Sequence, residues 1–266
     1  MKIETAKRLC KINTEFYQTQ GRSFSETRQA PWPGWGRCLD VLLNEWEAAD
    51  QGLPNSLFVF DLACGNLRFE EYLRSALPNT DLACYVVDNC DTLVASSRID
   101  ENEGIAPFSV QYQNIDVLKE YLEDRYVGDS IEAPPCDLSV AFGFMHHIPT
   151  RELRREVLFG LINQTNPGGY VVVSFWQFLN DENLSAKAIK THKQALGELG
   201  FTDLDENDFL LGWQNMPSVY RYCHSYSENE IDYLLAAVAN RAKPIARFVS
   251  DGRTDDLNTY IILKVC

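Results

Sequence analysis

The sequence has 266 residues, 45% hydrophobic and 12% aromatic, which suits one elaborated domain or at most two small ones around a packed core. Its formal net charge of −14 excludes general attraction to nucleic acid, so any such partner must meet a local cluster of Lys and Arg or a second protein. No stretch approaches the roughly 20 apolar residues needed to span a bilayer, and the eight cysteines form no Cys-x-x-Cys pair, which predicts reduced, buried thiols in a cytoplasmic protein. In chain order, Met1-Lys2-Ile3-Glu4 carries no signal-peptide pattern, and Met1 to about Asn13 reads as a short amphipathic helix. Glu15 to Trp35 mixes aromatics with Arg28 and two prolines, without periodicity. Pro31 and Pro33 hold Trp32 extended, and the segment is either a pocket wall with one interior cation or a hydrophobic flap over the sheet edge. Gly36 to Asp50 reads as a helix with Leu39, Leu42, Leu43 and Trp46 on one face, and Gln51 to Asn55 as a turn.

Leu57 to Leu62 is a short apolar strand carrying Asp61 near its end, and Ala63-Cys64-Gly65-Asn66 turns into a helix-spaced run from Leu67 to Leu73. Such a unit opens a nucleotide-binding α/β sheet, with the ligand outside the carboxyl end of the strand. A dinucleotide fingerprint wants glycine where this chain has Ala63, Gly65 and Arg68, and no Gly-Lys-Ser/Thr follows. An acid-first turn Asp61-x-Ala63-x-Gly65 remains, or an ordinary α/β turn. Leu82 to Asp88 is a second strand, whose Asp88 stands where a ribose-binding carboxylate belongs or caps a helix, as Asp91 could equally. A helix is predicted near Thr92 to Asp100, then a strand from Phe108 to Gln113, followed by Asn114-Ile115-Asp116-Val117.

Asp137 to Phe144 is a fourth buried strand running into His146-His147. Adjacent histidines point in different directions, so this pair predicts no metal site; one faces a pocket rim while the other packs or caps, or both are structural. Glu152 to Gln164 is a helix whose Arg151, Arg154 and Arg155 read as a solvated stripe, and Pro167-Gly168-Gly169 turns into the strand Val171 to Phe175. From Trp176 to Asn215 the repeat breaks. Lys187, Lys190 and Lys193 share one face of a predicted helix, either solvated or facing phosphates, with the acidic Asp203, Asp205, Glu206 and Asp208 nearby. Glu228 to Leu235 is a helix, and Ile245 to Ser250 and Tyr260 to Val265 are the last strands, joined around Asp251-Gly252-Arg253.

A class-wide motif and three separated signatures carry a family resemblance. Asp61-x-Ala63-x-Gly65 resembles the opening motif of class I S-adenosylmethionine (SAM) methyltransferases. Phe24-Ser25-Glu26-Thr27-Arg28-Gln29-Ala30-Pro31-Trp32-Pro33 closely resembles the segment that precedes this motif in the tRNA wobble-uridine carboxymethyl methyltransferases. His146-His147 after the fourth strand is similar to that family's His-His-hydrophobic-Ser. Asp208 to Trp213 and Tyr220-Arg221-Tyr222-Cys223-His224 are similar to its hydrophobic-Trp segment and Arg-Tyr-Tyr-His, with Cys223 in place of the second tyrosine. Ala63 and Leu67 also depart from the family's glycine turn. The resemblance implies an α/β fold: a Rossmann-like seven-stranded mixed sheet with helices on both faces and the last strand antiparallel. Residues 1–50 would form a helical segment and cofactor lid, and residues 51–266 the methyltransferase domain, with an insertion around 176–220. The implied cofactor is SAM, held by Tyr17, Arg28, Trp32, Asp61, Ala63, Gly65, Asp88, Asn89, Asp116, Val117 and Phe142. His146, His147 and Arg221 are the implied catalytic residues, with no metal. Implied partners are tRNA and a small zinc-binding protein.

Transfer of a methyl group from a sulfonium is an in-line displacement that needs alignment more than activation. A carboxylate acceptor is already ionised and needs no base. An amine or hydroxyl would need a proton sink, for which His146, His147 and His224 are candidates. Arg28 suits the cofactor carboxylate and Arg221 an anionic acceptor, against surface ion pairs as the plain reading of each. Three functions follow: a tRNA-modifying methyltransferase, a methyltransferase for a small carboxylate, hydroxyl or amine, and a non-catalytic SAM-binding module.

Overall fold

The computed structural model describes residues 1–48, 54–97, 99, 106–123 and 127–266. The first half contains α1 (Ile3–Glu26), α2 (Pro33–Ala48), β1 (Ser56–Leu62), α3 (Arg68–Ala76), β2 (Asp81–Asp88), α4 (Asp91–Val94), β3 (Phe108–Asn114), α5 (Val117–Leu122) and β4 (Cys136–Ala141). The second contains α6 (Arg151–Asn163), β5 (Thr165–Trp176), α7 (Glu182–Leu199), β6 (Asp208–Gly212), β7 (Tyr220–His224), α8 (Glu228–Val238), β8 (Ala242–Ser250) and β9 (Asn258–Val265).

Seven strands form one sheet in the order β3-β2-β1-β4-β5-β9-β8, while β6 and β7 pair separately. The first five run parallel, and β9 lies antiparallel to both β5 and β8. This is the expected mixed sheet with its last strand reversed, the reversal made by the β8–β9 hairpin. Along β1, Leu57 and Val59 enter one core cluster while Phe60 and Leu62 enter the other. Trp35, Leu39 and Leu73 of α2 and α3 cover the first face; Leu118, Val157 and Ile231 of α5, α6 and α8 cover the second. Burial on both faces is why the strands read as continuous apolar runs. Each fully buried side chain of this size contributes about 1.5–3 kcal/mol. The order reverses between β1 and β4, which opens a crevice at their carboxyl ends.

The helices differ from the sequence reading at several points. α1 does not stop near Asn13 but runs to Glu26. Leu9, Asn13 and Phe16 continue one buried stripe at spacings of four and three, and the approach to Pro31 ends the helix. From Glu15 to Glu26 the aromatic mixture is therefore the continuation of that helix, and only the stretch from Thr27 to Trp32 links it to α2. α2 begins at Pro33, where a missing N–H is harmless; Asp50 and residues 51–53 lie outside the described residues. The helix expected over Thr92–Asp100 is one turn, Asp91–Val94, with positions 98 and 100 outside the described residues. β4 ends at Ala141 rather than Phe144 because the backbone turns through Gly143, at φ 68°.

Arg154 is not on a solvated face. It is 4% exposed, 3.4 Å from Asp208 Oδ1 and 3.7 Å from Glu230 Oε1, as a buried guanidinium requires. Seven of the eight cysteines are free and buried as expected; Cys266 is exposed.

Candidate active site

The turn after β1 passes through Ala63, Gly65 and Leu67, all left-handed, with φ of 65, 57 and 59°. Glycine takes this conformation without strain and the other two do not. Apart from its chain neighbours, no atom of the described residues lies within 4 Å of where a Cβ on Gly65 would stand, so the turn is open above that residue. Its amide donates to Asp88 Oδ2 and that of Cys90 to Asp88 Oδ1, both at 2.9 Å. These bonds fix the end of β2 beside the turn and leave one lone pair on each oxygen for a diol. Burial pushes the Asp88 carboxyl up to about 6. Deeper in the turn, Asp61 faces the crevice on one side and the wholly buried Glu70 on the other.

At the end of β3, Asp116 caps α5 by accepting from the Lys119 amide at 3.0 Å, and Val117 is buried beneath it. Asn89 Nδ2 donates to Thr14 Oγ1 at 3.2 Å, which ties the end of β2 to α1. Above the turn, Trp32 stacks on Trp35 at 5.4 Å and lies 3.1 Å from where a Cβ on Gly143 would stand. A side chain there would therefore press on the Trp32 ring.

The far end of the crevice is cationic. Arg28 lies over Phe24 at 3.6 Å, and burial followed by the nearby Arg221 holds its guanidinium down to about 10, still charged at neutral pH. Arg221 is ringed by Phe16, Phe24, Trp176 and Trp213, with ring centres 5.5 to 5.8 Å away. Neither arginine has a carboxylate partner among the described residues. Arg221 donates to the Tyr17 hydroxyl at 3.3 Å, and that hydroxyl lies 2.7 Å from His147 Nε2. His147 Nδ1 is 2.9 Å from the Tyr222 carbonyl and 3.2 Å from Asn13 Nδ2; the carbonyl can only accept and is the nearer, which assigns the hydrogen to Nδ1 and leaves Nε2 to accept from Tyr17. Burial and then Arg221 hold His147 down to about 3; burial and then His147 push His146 well below its ordinary range. Both rings are therefore neutral at physiological pH and poor proton acceptors.

One cavity of about 400 Å³ gathers all the cofactor-binding and catalytic residues that the resemblance implies: Tyr17 and Arg28 from α1 and the segment after it, Trp32 just before α2, and Asp61, Ala63 and Gly65 from the first turn. Asp88, Asn89, Asp116, Val117, Phe142, His146, His147 and Arg221 complete it. His224 does not line it; its nitrogens face Asp208 at 2.8 Å and Glu230 at 2.9 Å, in the network around Arg154. A second cavity of about 230 Å³ shares Trp176 and Arg221 with the first and runs between α7 and the β6–β7 hairpin, past Ala188 and Leu211, to the exposed Lys187. Asn13, Thr14, Trp176 and Asp251 also line the main cavity, and the sequence reading missed them. The first two sit with Cys10 and Tyr17 at helical spacing, a signal visible once α1 is extended.

His146, His147 and Cys223 bring possible metal-binding atoms within 4.8 Å of one another. Both nitrogens of His147 are already engaged, burial pushes the Cys223 thiol up to about 11, and two guanidiniums face the group. The arrangement suits an anion better than a metal cation. The features that bear on a SAM-like ligand fit it: an open turn at Gly65, a diol acceptor at Asp88, an acid at Asp61 for an ammonium, and a guanidinium at Arg28 for a carboxylate.

The fold is that of the class I SAM-dependent methyltransferases. A SAM-dependent methyltransferase from Methanosarcina mazei matches at a TM-score of 0.56 and 16% identity, over 82% of this chain and 96% of that one. The chain is 25% identical over 189 residues, 69% of its length, to the mouse tRNA (carboxymethyluridine(34)-5-O)-methyltransferase ALKBH8. It is 22% identical over 160 residues, 60% of its length, to an Arabidopsis thaliana tRNA (carboxymethyluridine(34)-5-O)-methyltransferase. The matched regions span only 23% and 31% of those two relatives. No family model matches the chain. No helix among the described residues is long and apolar enough to cross a membrane.

Proposed function

We propose that this chain methylates a carboxylate, and that the carboxylate is the carboxymethyl arm of a wobble uridine in tRNA. The observation that carries the reading is the pair of guanidiniums, Arg28 and Arg221, without carboxylate partners among the described residues, beside two histidines held neutral. SAM, when bound, supplies a methyl group on a positively charged sulfur. Tyr17, Arg28, Trp32, Asp61, Ala63, Gly65, Asp88, Asn89, Asp116, Val117 and Phe142 would hold it. Arg221 binds and orients the acceptor carboxylate, Tyr17 and His147 hold Arg221 in place, and the aromatic ring around it excludes water. A carboxylate is ionised at neutral pH, so no proton moves. A histidine at about 3 would be a poor base for a hydroxyl or amine.

The tRNA part of the reading is supported by the names of the two curated relatives and by the signatures around Arg28 and Arg221. The second cavity offers the acceptor a place beside Arg221, with residues 1–50 as the lid and the 176–220 insertion as its wall. A small zinc-binding partner protein, implied by the resemblance, would add basic surface to a chain whose net charge is −14. A cytoplasmic location accords with the free thiols. The net charge of −14 favours a second reading, a small-molecule carboxylate as acceptor. The test is transfer from tritiated SAM to bulk tRNA and to a panel of small carboxylic acids, with and without a zinc-binding partner. Alkali-labile label in tRNA supports the first reading, and label in a small acid alone supports the second. No label in any acceptor leaves a cofactor-binding module.

A further inference from the structure

Glu70 lies in the first turn of α3 and is 0% exposed. Neither of its carboxyl oxygens, nor Asp61 Oδ1, has a hydrogen-bond donor among the described residues. The two carboxyls lie within hydrogen-bond reach of each other. As two carboxylates they would repel in a dry site; with one proton between them the contact becomes a bond. Among the described residues, the other titratable groups facing the pair are Asp88, Cys64 and Cys84, none of them a cation. Burial raises both carboxyls, that of Glu70 to about 7, and the helix N-terminus lets Glu70 carry charge when the proton leaves.

We propose that Glu70 is a positioning residue that shares one proton with Asp61 in the free protein and releases it when a cationic group seats against Asp61. The proposal rests on the cofactor reading, since SAM and its demethylated product both carry an ammonium group. The balance is simple: the site gains the ligand's ammonium, and the shared proton passes to the buffer. The proton competes with the ligand, so affinity rises with pH through the titration of the pair and levels off once both groups are ionised.

The test is calorimetry with S-adenosylhomocysteine at pH 7, in buffers of differing ionisation enthalpy. The observed heat should vary with the buffer, reporting release of on the order of half to one proton per ligand. Glu70→Gln, which keeps the shape and donates to Asp61, should bind without release. Asp88→Asn should still release, which separates this proton from any on Asp88. An infrared difference spectrum of the unmutated protein should lose a protonated-carboxyl band on binding, a readout independent of whether the Gln variant folds. Heat that does not depend on the buffer, or equal release from Glu70→Gln, overturns the proposal while leaving the cofactor reading intact. No binding in the unmutated protein overturns both.

Discussion

The Tyr17 hydroxyl lies 2.7 Å from His147 Nε2 and 3.3 Å from Arg221, so one phenol on α1 joins the histidine after β4 to the arginine on β7. Tyr17→Phe removes the donor to a buried ring nitrogen and one neighbour of an unpaired guanidinium. The cost is about 1–3 kcal/mol, so kcat should fall roughly tenfold or more, and S-adenosylhomocysteine should bind more weakly as well, since Tyr17 is among the residues that would hold the cofactor. A loss confined to cofactor affinity would place Tyr17 on the other side of the crevice. Because His147 is held near 3, kcat at saturating cofactor should show no step around the ordinary histidine range.

Asp88→Asn should weaken S-adenosylhomocysteine by on the order of ten- to a hundredfold, because one acceptor for a ribose hydroxyl becomes a donor. The sign of the pH effect follows from the buried carboxyl sitting near 6. Ribose hydroxyls donate to the ionised form, so above 6 this group's contribution is complete, and below 6 it fades as the proton takes a lone pair. Titration calorimetry from pH 5 to 8 on both proteins separates the two cases. A variant with unchanged affinity removes Asp88 from the site.

The sheet was readable because parallel strands buried on both faces are unbroken apolar runs, and the candidate site because its groups stand where those runs end. Asp61, Asp88, Asp116 and Phe142 all follow from that geometry. What escaped depended on contacts far apart in sequence. Arg154 looks like a surface arginine until Asp208, His224 and Glu230 arrive around it. Glu70 stands beside the exposed Glu71 and reads as solvated, yet it shares the buried face of α3 with Phe69 and Leu73. The end of α1 was hidden because its inward stripe is polar and aromatic, as a ligand-facing helix requires, and so carries little hydrophobic period.

Ala63 and Leu67 hold left-handed backbone where glycine is unstrained. Ala63→Gly should stabilise the protein by about 1 kcal/mol, since the relief at positive φ exceeds the entropy glycine adds to the unfolded chain. Leu67→Gly should destabilise it instead, because the Leu67 side chain is buried in the core cluster around Trp35. Denaturant midpoints decide both, and a loss of stability in Ala63→Gly would mean that the Ala63 methyl is needed for packing.

Ala188 is 3% exposed on α7 and lines the cavity that shares Arg221 and Trp176 with the main crevice. If the acceptor sits there, Ala188→Phe fills its place without touching the cofactor side. The helix itself loses only about 0.5 kcal/mol in propensity. S-adenosylhomocysteine should bind as before, while transfer to the acceptor identified in the tritium screen should drop in kcat/KM by roughly tenfold or more. Lys187→Gln at the mouth should produce a smaller, salt-dependent loss, because an exposed cation steers an anion more than it holds one. Equal kcat/KM in Ala188→Phe and the unmutated protein would move the acceptor out of this cavity. Arg221 would then be approached from the main crevice, and the room between α7 and the hairpin would be packing space alone.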